Sequence, residues 1–131
     1  MSRYVVDASA AAEYLLRTSL GLKVAEIIEG GLLLAPELLD VEVLSVLRRG
    51  VLHRELTEER ALRAIEDLMD WPIDRIPHRS LVWAAWQQRN SVTAYDAFYV
   101  AAAYLADASL ITTDGPLARA PSLEIVVENV R

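Results

Sequence analysis

The chain has 131 residues, 53% of them hydrophobic and 24% charged, which is ample for a packed core and too apolar for disorder; one domain, residues 1–131, is expected. It contains no cysteine, so disulfides and thiolate metal sites are excluded and a cytoplasmic location fits best. The formal net charge of −6 argues against a non-specific nucleic-acid binder, though not against an enzyme that acts on a nucleic acid. No apolar run approaches the roughly 20 residues of a membrane helix, and the opening Met1 to Asp7 runs into a strand pattern rather than a secretory signal. Lys23 is the only lysine beside twelve arginines, which removes mechanisms that need a catalytic lysine.

In chain order, Arg3 to Val6 is a short β-type run ending in Asp7-Ala8-Ser9, and Ala8 to Arg17 turns helical. Thr18-Ser19 breaks that helix and caps a second, Leu20 to Glu29, which Gly30-Gly31 stops. Leu32 to Ala35 reads as a buried strand. Pro36 then opens a helix running to about Arg49 and ending at Gly50. Thr57 caps a fourth helix through Met69; Trp71-Pro72 ends it, and Ile73 to Ile76 is a further strand. Ser80 to Arg89 is a fifth helix, and Asn90-Ser91 turns into an Ala-rich helix from Thr93. Ser109 to Thr113 is a β-branched strand, Gly115-Pro116 makes a turn into one helical turn, and Leu123 to Val127 is the last strand. This alternation predicts an α/β fold: a three-layer sandwich with a mostly parallel central sheet flanked by helices.

Four acidic residues stand among apolar or small neighbours. Asp7 follows the first strand, and Asp114 holds the matching place after Leu110 to Thr113. In open parallel sheets the ligand crevice lies outside the carboxyl ends of the strands, so these two can share a site. Asp96 sits in the first turn of the Ala-rich helix, and Glu42 at the edge of a core-facing stripe. Each has a plainer reading: a helix cap for Asp7, turn chemistry for Asp114, a dipole partner for Asp96, a salt bridge to Arg49 for Glu42. Together they point further, because crowded carboxylates repel unless a cation neutralises them, and hard oxygen donors without His or Cys select Mg²⁺ or Mn²⁺. Such an ion activates water and clamps a phosphodiester.

Four stretches carry a family resemblance: Val5-Val6-Asp7-Ala8-Ser9, Pro36 through Glu42 to Arg49, Tyr95-Asp96-Ala97-Phe98-Tyr99-Val100-Ala101, and Thr112-Thr113-Asp114-Gly115-Pro116-Leu117-Ala118. In these, and in their order along nearly the whole chain, the sequence resembles PIN-domain ribonucleases, and within them the VapC-type toxins of toxin–antitoxin pairs. The resemblance implies a Mg²⁺-dependent endoribonuclease with Asp7, Glu42, Asp96 and Asp114 as its acidic quartet. It also implies an RNA substrate, a cognate antitoxin that covers the site, and a homodimer.

Ser9 and Thr113 flank quartet residues and can orient a carboxylate. Arg48 and Arg49 lie at a helix end where a phosphate contact is open to them, and Asp40 reads as surface charge. His53 and His78 read as surface or loop residues rather than ligands. Trp83, Trp86, Tyr95, Tyr99 and Tyr104 can be stacking platforms for bases, but their helical spacing favours core or interface packing. Leu15, Leu16, Leu44 and Leu47 recur at helical spacing, and part of that apolar surface is expected to serve a partner. Two other functions compete: a binding module of the same fold without catalysis, and a phosphoryl-acceptor domain, against which the solitary early Lys23 speaks.

Overall fold

The structure is a computed structural model and describes residues 1–120 and 123–131. Its elements are β1 (Arg3–Val6), α1 (Ala8–Leu16), α2 (Ser19–Ile28), β2 (Leu32–Pro36), α3 (Leu38–Leu52), α4 (Glu58–Asp70) and β3 (Asp74–Ile76). A 3₁₀ turn (His78–Ser80) follows, then α5 (Val82–Trp86), α6 (Ala94–Ala106), β4 (Ser109–Thr112), α7 (Gly115–Ala118) and β5 (Val127–Asn129). The strands form one sheet in the order β3-β2-β1-β4-β5, every neighbouring pair parallel.

That order fixes where the helices go. From β1 the chain steps outward to β2 and β3, then returns past β1 to β4 and β5. Right-handed crossovers put the helices of the first two steps on one face and those of the last two on the other. The packing follows this division: α1 lies on α2, α3 and α4, whereas α6 lies on α5 and across β1, β2 and β4. Both faces are therefore covered, and the successive residues Val5 and Val6, like Leu110 and Ile111, are wholly buried although each pair points to opposite faces.

Helix starts are set by side-chain acceptors. Thr18, Thr57 and Thr93 cap α2, α4 and α6 by accepting the N–H of Gly21, Arg60 and Asp96 at 3.0, 3.2 and 3.3 Å. Close packing of α1 on α2 depends on Gly21, where an added Cβ would sit 2.0 Å from the carbonyl oxygen of Glu13.

Several sequence expectations are corrected. Pro36 ends β2 rather than opening a helix, and α3 starts at Leu38. Glu37 makes no side-chain cap there; instead His78 Nε2 accepts the Leu38 N–H at 2.8 Å while its ring packs on Phe98 at 4.9 Å. His78 is thus a structural cap and not a loose loop residue. Gly50 does not stop α3, which continues to Leu52 because Leu56 lands on the bare glycine, 3.1 Å from where a Cβ would be. The helix expected from Ser80 to Arg89 shrinks to Val82–Trp86: Ser80 belongs to the 3₁₀ turn, and beyond Trp86 the chain tightens into bonds from the N–H of Gln88 and Arg89 to the carbonyls of Ala85 and Trp86. The last strand lies at Val127–Asn129 rather than Leu123 to Val127, since Glu124 takes a left-handed φ of 57° that breaks extended pairing. Asp40 is held by Arg75 at 3.0 Å, and the same guanidinium caps the end of α4 through the Leu68 carbonyl at 2.7 Å.

Candidate active site

The direction of strand stepping reverses between β1 and β4, so the crevice outside their carboxyl ends is the switch point where α/β sheets bind ligands. Register places Val6 beside Ile111, and the Asp7 N–H extends the ladder to the Ile111 carbonyl at 3.1 Å. Asp7 therefore stands level with Thr112. It is 4% exposed and fully engaged: Oδ1 accepts the Ala10 N–H at 3.0 Å and the Ser9 hydroxyl at 2.7 Å, while Oδ2 accepts the Thr112 hydroxyl. The helix-capping reading of Asp7 is thus fulfilled together with its place at the strand end.

Thr112, itself wholly buried, also accepts the Asp114 N–H at 2.9 Å, so one hydroxyl ties the backbone of Asp114 to the carboxylate of Asp7. Ser9 Oγ accepts the Thr113 N–H at 3.1 Å and completes the clasp between the two strand ends. The threonine hydroxyl that reaches a carboxylate is that of Thr112. Thr113, the one expected from sequence, contributes its backbone. Asp114 Oδ1 caps the short α7 through the Leu117 N–H at 3.4 Å.

From the helices come Asp96 and Glu42. Asp96 and Tyr99, three residues apart on α6, share a helix face. Tyr99 is 1% exposed and donates its hydroxyl to Glu42 Oε1 at 2.7 Å. Helical spacing alone sets Tyr99 among core residues. It is one, but its polar tip also holds Glu42, and no signal within its own helix announces that. The partner of Glu42 is thus Tyr99 rather than Arg49, and Arg48 and Arg49 lie exposed.

Two of the four carboxylates, Asp7 and Asp96, are pushed up. Burial, the largest cause, pushes Asp7 up from 3.8 to about 6; the hydrogen bonds from Ala10, Thr112 and Ser9 oppose this, and the charge of Asp96 adds to it. Asp96 is raised by burial and then by the charges of Asp114 and Glu42. Burial and the bond to Glu42 drive the Tyr99 hydroxyl well above its ordinary range, so it remains a donor.

Among the described residues, no three acidic or histidine side chains are grouped tightly enough to enclose an ion as they stand, and no Arg or Lys forms a salt bridge with any of the four. An acidic cluster of hard oxygen donors without a protein counter-charge fits a divalent cation. The largest cleft described, about 830 Å³, lies at the opposite, amino ends of the strands between Arg3, Tyr4, Tyr104 and Ser109, away from this chemistry.

The PIN domain family matches residues 4–123. The chain belongs to the PIN-domain family. Within it, the chain is 44% identical to Ribonuclease VapC1 of Mycobacterium tuberculosis, with all of both proteins covered. This PIN domain also shares its fold with PAE2754 from Pyrobaculum aerophilum (TM-score 0.67, 19% identity, 96% of this chain and 83% of that one). A second neighbour is VapBC2 from Rickettsia felis, solved bound to a DNA fragment from its promoter (TM-score 0.60, 14% identity, 98% and 99% covered). The α/β class expected from sequence is the one found, with a sheet that is parallel throughout.

Proposed function

We propose that this chain is an endoribonuclease that depends on Mg²⁺ or Mn²⁺ and acts as the toxin of a toxin–antitoxin pair, the whole of residues 1–131 forming one catalytic domain. What supports the reading is that Asp7 and Asp114 follow adjacent strands and are tied together through Thr112, that Tyr99 of the Asp96 helix donates to Glu42, and that among the described residues no Arg or Lys forms a salt bridge with any of the four. The name of its VapC1 relative, a ribonuclease, supports the substrate class and, with VapBC2, the antitoxin partner.

In this reading the four carboxylates hold the ion. When bound, a divalent ion lowers the pKa of a water and neutralises the charge that builds on a phosphodiester during in-line displacement. The rest is the chain's own work. Ser9 and Thr112 fix both oxygens of Asp7, and Tyr99 fixes Glu42, so the donors need little reorganisation. Arg48 and Arg49, at the exposed end of α3, contact phosphates of the bound strand. The protein works in the cytoplasm as a homodimer; among the described residues, no helix is long and apolar enough to cross a membrane.

The test is turnover on RNA with Mg²⁺, with Mn²⁺ and in excess EDTA, for the wild type and Asp96→Asn. The expected result is cleavage only with the metal. Asp96→Asn should lose more than the roughly 100-fold that removal of an outer partner costs, with an unchanged circular dichroism spectrum. Full activity in EDTA would overturn the metal assignment. A folded protein that cuts no RNA with either ion would favour the second reading, a PIN-like binding module acting through a protein partner.

A further inference from the structure

Gly115 directly follows Asp114, yet nothing in the backbone asks for glycine there. Among the described residues Gly30 is the only glycine with a positive φ, so Gly115 holds a conformation open to any residue. What excludes a side chain is Arg119. A Cβ on Gly115 would lie 2.7 Å from one terminal nitrogen of the Arg119 guanidinium and 3.4 Å from its carbon and its other terminal nitrogen. Arg119 closes α7 by donating its N–H to the Gly115 carbonyl at 3.1 Å, and its side chain folds back along that single turn onto the bare glycine. This seat puts the guanidinium no more than about 8 Å from the Asp114 Cα.

A cation so near a carboxylate often pairs with it, as Arg17, Arg63 and Arg75 do with Asp67, Glu59 and Asp40. Arg119 does not: among the described residues none of its nitrogens comes within 4.0 Å of a carboxylate oxygen. Asp114 turns to its own helix instead, its Oδ1 accepting the Leu117 N–H at 3.4 Å, while Thr112 ties its backbone to Asp7. An exposed guanidinium thus stands beside the quartet without neutralising it.

We infer that Arg119 is a substrate-contacting residue whose guanidinium binds a non-bridging oxygen of the RNA phosphate held at Asp114, an assignment that rests on the ribonuclease reading. The gap between this cation and the carboxylates admits an anion, and the phosphate to be cut is the anion that the reaction itself brings to Asp114. A phosphate oxygen sits about 2.8 Å from a guanidinium nitrogen, and the fork of Arg meets two such oxygens at once. Gly115 keeps the seat open, since alanine there would push the guanidinium aside while leaving every carboxylate in the chain.

The experiment follows cleavage of one short unstructured oligoribonucleotide with Mg²⁺ over a series of KCl concentrations, with thermal unfolding of each protein as the check on its fold. The proteins are the wild type, Arg119→Ala, Arg119→Lys, Gly115→Ala and the double variant Gly115→Ala/Arg119→Ala. Arg119→Ala should lower kcat/KM roughly tenfold or more at unchanged Tm. It should also flatten the slope of log kcat/KM against log salt by about 0.7, the share of one phosphate contact on a single strand. Arg119→Lys should keep the wild-type slope and recover part of the rate. Gly115→Ala should lose rate on its own and nothing further beside Arg119→Ala. If Arg119→Ala cuts as the wild type does, the contact is refuted and the nuclease stands. A loss that leaves the salt slope unchanged and that lysine does not recover would refute it too, by making Arg119 a structural residue. A Gly115→Ala loss undiminished in the double variant would overturn the seat. A wild type that cuts no RNA would remove the ribonuclease reading and this contact with it.

Discussion

Asp7→Asn should make the protein more stable at neutral pH while abolishing its activity. Burial raises the folded-state pKa of Asp7 from 3.8 to about 6, so the native protein binds this proton more tightly than the unfolded chain does. Below about pH 4 the group is neutral in both states and contributes nothing. As pH rises toward and past 6 the folded state must hold a buried anion, and stability falls by the gap between the two values, which at 1.36 kcal/mol per pH decade is about 3 kcal/mol. Asparagine removes that penalty and can keep the clasp. Its Oδ1 accepts from Ala10 and Ser9 as before, and its Nδ2 donates to Thr112 Oγ1, which already accepts from Asp114. For a chain of this length, about 3 kcal/mol corresponds to roughly 10 °C in Tm. The assay is thermal unfolding of both proteins in EDTA from pH 4 to pH 8. The gain should be near its maximum at pH 7 to 8 and vanish toward pH 4. Equal Tm values at pH 7, or a gain that persists unchanged at pH 4, would falsify the reasoning.

Four other substitutions probe the remaining links. Tyr99→Phe deletes the donor to a half-buried Glu42, so about 1 kcal/mol of stability, seen as a fall of roughly 3–4 °C in Tm, and roughly tenfold in kcat should be lost; wild-type kinetics would free Glu42 from any need of Tyr99. Thr112→Val strands the Asp114 N–H and removes a donor from Asp7, which should cost about 2 kcal/mol in a urea titration, whereas Thr113→Val should stay within about 0.5 kcal/mol. The reverse ranking would mean that the clasp runs through the other threonine. Gly21→Ala forces a Cβ to within 2.0 Å of the Glu13 carbonyl and should destabilise by about 3 kcal/mol, a loss that denaturant midpoints would show and that a neutral result would contradict.

Most of the scaffold is legible in local chemistry. The Thr residues that cap α2, α4 and α6, the β-branched runs of β1 and β4, and an acidic residue after each of those two strands are all written in short windows. Boundaries shift where a distant residue intervenes. Gly50 looks like a helix stop until Leu56 is seen packed on it, and the amino end of α3 is capped by His78, forty residues away. Trp83 and Trp86 have the spacing of buried residues, but a five-residue helix at the edge of α6 leaves their rings in solvent.

The amino-acid sequence by itself determined the order and kind of the elements and which acids stand where a strand or helix begins or ends, because period, capping and turn chemistry act within a few residues. Only the tertiary structure decided that Thr112 rather than Thr113 meets Asp7, since successive strand residues face opposite sides and the pairing of β4 with β1, about a hundred residues apart in sequence, selects the side. It alone decided that Tyr99 holds Glu42 across fifty-seven positions, and that Asp96 sits within electrostatic reach of the other carboxylates. Those relations depend on how helices from opposite faces of the sheet meet at its carboxyl edge, and no local pattern encodes that meeting.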